Sequence, residues 1–335
     1  MIQTKTVLVL GAGASMHYGF PSGIHLRQKI LNNLSKSDNK PDKTPVGQLL
    51  RLFRTNHPCG ESAGYEYIAN FRRDLKESGV ESIDEFLQPR SEEDRFLGQL
   101  AIAQALIPCE RQDALYMKDT VDDGEISKWQ ADDWYQILIR CMLQDVPFKE
   151  FGKRNDISFI TFNYDRSLEH YLFNSLKRRF NREDDEVTEV LNPLPVVHVH
   201  GTLGYLPWQG TPSNLHRPYR LVEVENESII HMAATNIRII HEADEKMEDG
   251  FDQAHDLLNT AHTIYFLGFG YNQINLDRLR IADLDKTDKK IMGTAKGVST
   301  PVKGEISART NDVIDQHQLL DLSIVEFFTN RVILK

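Results

Sequence analysis

The sequence predicts an α/β fold: a doubly wound, mostly parallel sheet with a large helical insertion after the first strand. Short apolar runs rich in Val, Ile and Phe recur along the chain without polar alternation, as in strands that are buried on both faces. Helical patterns separate these runs, which is typical of a doubly wound sheet. Residues 11–156, between the first two runs, are far too many for an ordinary crossover, so we expect a mostly helical insertion there.

Five runs have the length and composition of buried strands. In chain order they are Thr6–Leu10, 157–162, 196–199, Thr263–Leu267 and the weaker 289–292. Helices are predicted where apolar residues recur at helical spacing, and Ser22 is a candidate N-cap for the first helix. The helical stretches are 24–34, 65–78, Glu92–Leu106, 132–142, 165–180 and 228–258, whereas 35–45 and 120–127 are predicted loops. The tail after Lys296 shows no clear pattern.

Length and composition narrow the possible functions. The 335 residues suit one domain, 1–335, in which 36–150 form the helical insertion or lid. A formal net charge of -10 argues against nucleic-acid binding as the main function, because surfaces that bind phosphates are usually basic. The three cysteines form no CxxC pair, so neither a disulfide framework nor a cysteine zinc ribbon is expected. Neither a signal sequence nor a membrane-spanning stretch is recognisable, and we expect a cytoplasmic protein with no membrane partner.

A turn of small residues, 11–15 (GAGAS), follows the first apolar run directly. Gly11 permits a sharp reversal, and Gly13 lacks the Cβ that would keep a pyrophosphate away from the N–H groups of the next helical turn. Met16 stands where the dinucleotide-binding fingerprint has its third glycine. A nucleotide-binding loop and a tight turn without a ligand both fit these residues. Gly19 and Pro21 then predict a loop over any bound ligand.

Polar residues follow the second apolar run, where the carboxyl end of the strand meets the next helix. Asn163 and Asp165 lie there, at the edge where ligands bind in open parallel sheets. Asn and Asp at a strand end are also common N-caps. These residues therefore predict either a binding role or a helix cap.

Two histidines and a second glycine turn mark the ends of the third and fourth runs. His198 and His200 alternate with valines, so both are predicted to point to one face, but no third ligand at a metal-site spacing accompanies them. His200, beside the Gly201 turn, is a candidate general base, and His198 has a supporting or buried role. A buried histidine with satisfied hydrogen bonds is the alternative for both. The second turn, at 268–270 (GFG), would let the other half of a dinucleotide approach the backbone, or is a plain connection.

The order of the motifs, GAGxS with GxP, then TxNxD, then HG, then GxG, resembles the NAD-binding fold of the sirtuins. It resembles more closely the sirtuin-like domains of NAD hydrolases in bacterial anti-phage defence. The resemblance extends over nearly the whole chain, with a loose match in 24–155, where SIDEFL at 82–87 is similar to a segment of the defence group. The matched residues are Gly11, Gly13, Ser15, Gly19, Pro21, Thr161, Asn163, Asp165, His200, Gly201, Gly268 and Gly270.

The resemblance implies a Rossmann-like sheet that cleaves NAD, as a substrate and not as a cofactor, to nicotinamide and ADP-ribose. It implies that Asn163 orients the ribose and the attacking water and that His200 accepts a proton, without a metal. The residues implied to contact the nucleotide are Gly11, Ala12, Gly13, Ser15, Pro21, Thr161, Asp165, Gly201, Gly268 and Gly270. The family further implies a homo-oligomer that acts in abortive infection and is gated by assembly or by a partner, such as an ATPase or another defence protein.

Two departures from the sirtuin pattern argue against protein deacylation. Sirtuin deacylases build a zinc ribbon from two CxxC pairs, which this chain does not contain. They also carry an arginine after the GxP pattern, whereas Pro21 is followed here by Ser22 and Gly23. We therefore expect NAD hydrolysis, which requires Asn163 and His200 to converge in one crevice. The alternatives are a catalytically silent module that binds NAD or ADP-ribose and scaffolds a partner ATPase, and cyclisation, which differs only in the acceptor.

Overall fold

A six-stranded parallel sheet forms the centre of the computed structural model, which describes residues 1–35, 44–116, 132–210, 215–219, 227–239, 245–332 and 334. The strands are β1 Thr6–Leu10, β2 Ile157–Thr161, β3 Val196–His198, β4 Thr263–Leu267, β5 Lys290–Thr294 and β6 Leu319–Leu320. Their order is β3-β2-β1-β4-β5-β6, and every neighbouring pair is parallel. The order reverses between β1 and β4, which is the topological switch point of a Rossmann-like sheet. The structure confirms the predicted α/β, doubly wound fold class.

The central strands are buried along their whole length. Every residue of β1, β2 and β4 is buried, and alternate side chains of β1 enter separate cores on the two faces of the sheet. Leu8 and Leu10 belong to the larger core, whereas Val7 and Val9 belong to the smaller one. Because both faces are covered, the strands need no polar alternation, and their apolar runs were recognisable in the sequence.

The chain between β1 and β2 is mostly helical in its described parts. Its helices are α1 Gly23–Asn33, α2 Pro45–Asn56, α3 Glu61–Glu77, α4 Ile83–Leu87, α5 Glu92–Leu106, α6 Gln112–Leu115, α7 Trp134–Leu143 and α8 Phe151–Arg154. The predicted cap of α1 is present, since Ser22 Oγ accepts a hydrogen bond from the His25 amide. Helix α5 is the buried centre of this layer and packs against α1 and α2. The predicted loop 120–127 and most of the predicted loop 35–45 lie outside the described residues.

The elements after β2 depart from the sequence prediction in one helix, in one strand and in the tail after Lys296. They are α9 Ser167–Phe180, α10 Asp184–Leu191, α11 Glu227–Asn236, α12 Glu245–Thr260, α13 Gln273–Arg278, α14 Thr300–Arg309 and α15 Ile324–Asn330. The stretch 228–258 is not one helix, because α11 ends before Ile237, which forms an antiparallel bridge with Gly201. The predicted strand 289–292 is β5, shifted toward the C-terminus, and the unassigned tail carries α14, β6 and α15.

The sheet is bordered by very short strands. β3 has three residues and β6 has two. No helix in the described parts of the chain is long and apolar enough to cross a membrane.

A buried ion cluster joins the helical insertion to the segment that follows β3. The Glu110 carboxylate accepts hydrogen bonds from Arg166, with Nε 3.0 Å from Oε1, and its Oε2 lies 2.6 Å from Nη1 of Arg217. All three side chains are at most 1% exposed. Arg166 Nη1 also donates to the main-chain carbonyl of Tyr205, at 3.1 Å. Since Arg166 directly follows Asp165, the cluster anchors the loop after β2, which carries the predicted Asn163.

Candidate active site

A cavity of about 380 Å³ lies at the carboxyl edge of the sheet, beside the switch point between β1 and β4. Segments that follow β1, β2, β3 and β4 line it on the sheet side, and the start of α1 and helix α4 line it on the other. Its volume lies within the range of about 300–1,000 Å³ that is usual for small-molecule sites. The predicted site residues in its wall are Gly11, Ala12, Gly13, Asn163, His200, Gly268 and Gly270.

The remaining predicted site residues lie elsewhere. Ser15, Pro21 and Asp165 line an adjoining cavity of about 90 Å³, which shares Asn163 with the first. Thr161 and Gly201 line neither cavity. Thr161 Oγ1 accepts a hydrogen bond from the Asn163 amide at 3.1 Å, and Gly201 pairs with the chain after α11. These two residues therefore shape the loops that present Asn163 and His200.

The Asn163 side chain is oriented by the glycine turn. Its Nδ2 donates to the main-chain carbonyl of Gly11, at 2.9 Å, and to Ser15 Oγ, at 3.0 Å. A carbonyl oxygen accepts hydrogen bonds and cannot donate them, so Nδ2 must point toward Gly11, which settles the orientation of the carboxamide. Oδ1 then has no partner in the described part of the chain. It can accept a hydrogen bond from a hydroxyl group or a water molecule in the cavity.

Asp165 supports this arrangement from behind. Its buried carboxylate accepts hydrogen bonds from the amide of Ser167, at 3.0 Å, and from the Ser167 hydroxyl, as in an Asx turn just before α9. Burial raises the pKa of Asp165, whereas hydrogen bonds from Ser167 and Ser15 act in the opposite direction. Ser15 thus links Asp165 to Asn163. Asp165 is not the N-cap of α9, which is Arg166, and a contact of Asp165 with substrate stays a prediction.

His200 is 4% exposed and lies in an aromatic surround. Its ring centroid is 5.4 Å from that of Phe162, 6.2 Å from that of Tyr164 and 6.1 Å from that of Phe251. Burial lowers its pKa, against opposing contributions from Asp84 and other neighbours, so the imidazole is neutral at pH 7. Its Nδ1 is buried and has no hydrogen-bond partner among the described residues. A neutral imidazole in a cavity wall has the properties of a general base.

His198 has a different environment from that of His200. Its Nε2 lies 2.7 Å from the buried carboxylate of Glu169, and its Nδ1 lies 3.0 Å from the main-chain carbonyl of Asn163. The two histidines therefore do not share a set of ligands. No group of three His, Cys, Asp or Glu side chains that could hold a metal ion occurs in the described ranges. Both ring nitrogens of His198 thus have partners, as in the alternative of a buried histidine with satisfied hydrogen bonds, and its supporting role stays a prediction.

The glycines of the first turn allow close packing of the two turns, and not, as predicted, the approach of a pyrophosphate. A Cβ on Gly11 would lie 2.5 Å from the Gly268 carbonyl oxygen, and one on Gly13 would lie 2.7 Å from Gly268 Cα. The two glycine turns thus pack directly against each other, and Gly13 N–H donates to the Gly268 carbonyl. No α-helix starts at the first turn, because α1 begins only at Gly23. Of the amides in 11–15, only that of Ala12 makes no hydrogen bond to the described residues, so few are left for a pyrophosphate.

Sequence reasoning missed an acidic wall on α4. Glu81, Asp84 and Glu85 line the 380 Å³ cavity, and no Lys or Arg side chain is among the described residues of its wall. The Tyr164 hydroxyl donates a hydrogen bond to the Asp84 carboxylate. The SIDEFL segment was the available signal, since it contains Asp84 and Glu85, but a resemblance in sequence does not show where a helix docks.

A second large cavity adjoins the glycine turns on their other side. It has a volume of about 600 Å³ and shares Gly13, Gly268 and Phe269 with the wall of the first cavity. Residues that follow β5 and β6, Lys296 among them, form much of its lining. The touching glycine turns therefore form a wall that the two cavities share.

The chain matches no family model and no curated protein sequence.

Proposed function

We propose that the protein is an NAD hydrolase that cleaves NAD to nicotinamide and ADP-ribose. One observation carries the proposal: Asn163 and the buried His200 line the same cavity at the switch point, and Asn163 Oδ1 and His200 Nδ1 have no partner among the described residues. The resemblance of the motifs to sirtuin-like NAD hydrolases supports the same assignment. Hydrolysis of a glycosidic bond with a good leaving group needs an oriented water and a proton acceptor, and these two side chains have the chemistry for both roles.

The paired cavities suit a dinucleotide. NAD consists of two nucleoside halves joined by a pyrophosphate, and the cavities of about 380 and 600 Å³ share Gly13, Gly268 and Phe269 in their walls. We place the nicotinamide ribose in the smaller of these two cavities, beside Asn163 and His200. The pyrophosphate would then cross the glycine turns near the Ala12 amide, and the adenosine would occupy the larger cavity with Lys296 in its wall.

The proposed reaction uses the neutral state of His200. The bond from ribose C1′ to the pyridinium nitrogen breaks, its electron pair stays with nicotinamide, and the leaving group departs neutral without a general acid. Water adds to C1′ and transfers a proton to the His200 imidazole. Asn163 Oδ1 accepts a hydrogen bond from a ribose hydroxyl or from the water and aligns the two reactants. ADP-ribose and nicotinamide leave, and His200 returns the proton to solvent.

A direct assay of nicotinamide release tests the proposal. Purified protein is incubated with NAD at several protein concentrations, since the resemblance implies activation on assembly, and the products are separated by chromatography. Asn163→Ala and His200→Ala should each lower turnover by about 100-fold or more, whereas His317→Gln, at an exposed position, should leave it unchanged. Full activity in both site variants would refute the assignment.

The same assay separates the alternatives. Tight NAD binding without product over hours would favour the catalytically silent module that scaffolds a partner. A cyclic isomer of ADP-ribose would show that a group of the nucleotide itself, and not water, is the acceptor. Expression in bacterial cells tests the implied role as a defence effector: the wild type should deplete cellular NAD and arrest growth, and Asn163→Ala should do neither.

A further inference from the structure

We propose that Asp84 is a further catalytic residue, whose carboxylate binds the positive charge of the substrate and makes the cavity selective for N-glycosides of a cationic base. This inference rests on the proposed function and deepens it, because it names what the site recognises in its substrate. It is carried by the position of Asp84 in the cavity wall, by its tie to the Asn163 loop and by the charge of the remaining wall.

Asp84 lies at the junction of the site. It lines both the 380 Å³ cavity and the adjoining 90 Å³ cavity, as do Asn163 and Phe162. The Tyr164 hydroxyl donates a hydrogen bond to the Asp84 carboxylate. Tyr164 is buried and directly follows Asn163 in the sequence. The carboxylate is therefore held at a defined position relative to the carboxamide that would orient the ribose.

The local sequence explains why helix α4 presents Asp84 to the cavity. Ser82 caps the helix, with its Oγ accepting from the Glu85 amide at 3.1 Å. Ile83, Phe86 and Leu87 are buried in the larger core. With these three apolar residues turned into the core, Asp84 is left on the side that faces the loop after β2.

The charge of the cavity favours a cation. Glu81 and Glu85 stand in the same wall as Asp84, and His200 is neutral. No Lys or Arg side chain of the described residues lines this wall, and Arg278 acts on His200 from outside it. Carboxylates at a partly enclosed surface act with less solvent screening than in bulk water. The pyridinium of oxidised NAD is a cation, whereas a phosphate group would be repelled here. This polarity places the phosphates toward the glycine turns and the nicotinamide toward α4.

Asp84 is better placed for this role than its neighbours. Glu85 Oε2 already accepts a hydrogen bond from the Glu81 amide, at 3.3 Å, and Glu81 is exposed. Neither of them lines the smaller cavity that Asp84 shares with Asn163. The positive charge moves from the pyridinium to ribose C1′ and O4′ as the glycosidic bond breaks. A carboxylate beside C1′ stabilises that charge without forming a bond.

Paired variants separate the charge of Asp84 from its hydrogen bond. Asp84→Asn keeps an acceptor for the Tyr164 hydroxyl but removes the charge, and it should lower kcat by about 100-fold. Tyr164→Phe removes the hydrogen bond and keeps the carboxylate, so it should lower kcat by less than about tenfold. Glu77→Gln, an exposed charge on the same insertion that lines neither cavity, is the matched control. Equal losses in Asp84→Asn and Tyr164→Phe would overturn the proposal, because Asp84 would then act only by holding α4.

A binding measurement tests the same inference without relying on turnover. We would titrate the full chain with 1-methylnicotinamide, a pyridinium cation, and with neutral nicotinamide, by calorimetry, with thermal melting as the check of folding. The wild type should bind the cation at least about tenfold more tightly, and Asp84→Asn should abolish the preference. Equal affinities in the wild type, or a preference that survives in Asp84→Asn, would overturn the inference. If either of these results is found and the protein still cleaves NAD, the proposed function stands and only the inference about Asp84 fails.

Discussion

His198 and Glu169 form a buried ion pair beside the loop that carries Asn163, with 2.7 Å between Nε2 and Oε1. The other ring nitrogen of His198 lies 3.0 Å from the main-chain carbonyl of Asn163. Burial alone would lower the pKa of His198, but the Glu169 carboxylate outweighs it and the pKa is raised. Burial likewise opposes the ionised form of Glu169, yet His198 lowers its pKa. Both partners are therefore charged near pH 6, and a charged His198 donates to Glu169 and to Asn163 at once.

This pair predicts a loss of stability at alkaline pH. Because its folded-state pKa is raised above 6.5, His198 contributes stability that is complete below pH 6.5 and is lost as the pH rises through the raised pKa. The double variant Glu169→Gln/His198→Gln removes both charges and serves as the reference. The urea midpoint of the wild type should fall relative to that reference as the pH rises above 6.5. Parallel profiles of the two proteins would contradict the assignment of charge.

Removing only one partner of this pair should lower the free energy of unfolding far more than removing both. His198→Gln leaves the Glu169 carboxylate buried without a cation, and at pH 6 it should cost about 3 kcal/mol in the free energy of unfolding. The double variant should recover most of that loss, as a swap of both partners usually does. Urea unfolding of the three proteins at one pH measures both effects.

The activity of the proposed hydrolase should depend on pH through His200. Its pKa is lowered from 6.5 by burial, so the base form should persist below pH 6.5, and kcat/KM should fall only when the pH drops below that value. A pH–rate profile of NAD cleavage measures the midpoint of this acid limb. The limb should be absent from the residual activity of His200→Gln. An acid limb centred above pH 6.5 would show that another group is the base.

The contact between the glycine turns predicts that alanine lowers stability strongly at one glycine and hardly at all at its neighbour. Gly268 has a φ of +57°, and a Cβ there would lie 2.3 Å from the Ala14 nitrogen, so Gly268→Ala should cost about 3 kcal/mol. A Cβ on Gly270 would meet no atom within 4 Å, and Gly270→Ala should change stability by less than about 0.5 kcal/mol. Thermal or urea unfolding of both variants checks the difference. Tolerance of alanine at 268 would mean that the turns do not touch.

The link from Asp165 through Ser15 to Asn163 predicts a selective loss of activity. Ser15→Ala removes an acceptor of Asn163 Nδ2 and a donor to Asp165, and it should cost about 1–2 kcal/mol in stability. It should also lower kcat by about tenfold, because the carboxamide is held less firmly. Ser167→Ala removes a donor from the same carboxylate without touching Asn163. Ser167→Ala should lower stability by a similar amount to Ser15→Ala but should lower kcat much less. Equal losses of kcat in the two variants would argue against this link.

The central sheet was predictable because its strands are buried on both faces. A run such as Thr6–Leu10 needs only its own apolar composition to be recognised. β6 escaped detection, since the two residues Leu319–Leu320 are too few to form a pattern. The break after α11 was also missed, because Ile237 leaves the helix to pair with Gly201, a contact between distant segments that no local pattern encodes.

The candidate site was predictable only on its sheet side. Asn163 and His200 follow strands, and strand ends of a parallel sheet meet at one edge. Asp84 reaches the same cavity by the docking of α4, and its distance from Asn163 along the chain hides that contact from sequence reasoning. The glycine turns were located correctly, but their packing against each other depends on the adjacency of β1 and β4, which is a tertiary fact.

The shortness of the outer strands limits how copies of this chain can associate. With three residues in β3 and two in β6, the sheet borders offer too little unpaired backbone to template a continuous intermolecular sheet. The homo-oligomer that we expect from the resemblance must therefore assemble through contacts between side chains on its helical exterior. Such contacts are tuned by single surface substitutions and by ionic strength, so self-association can change without any alteration of the strands that carry Asn163 and His200.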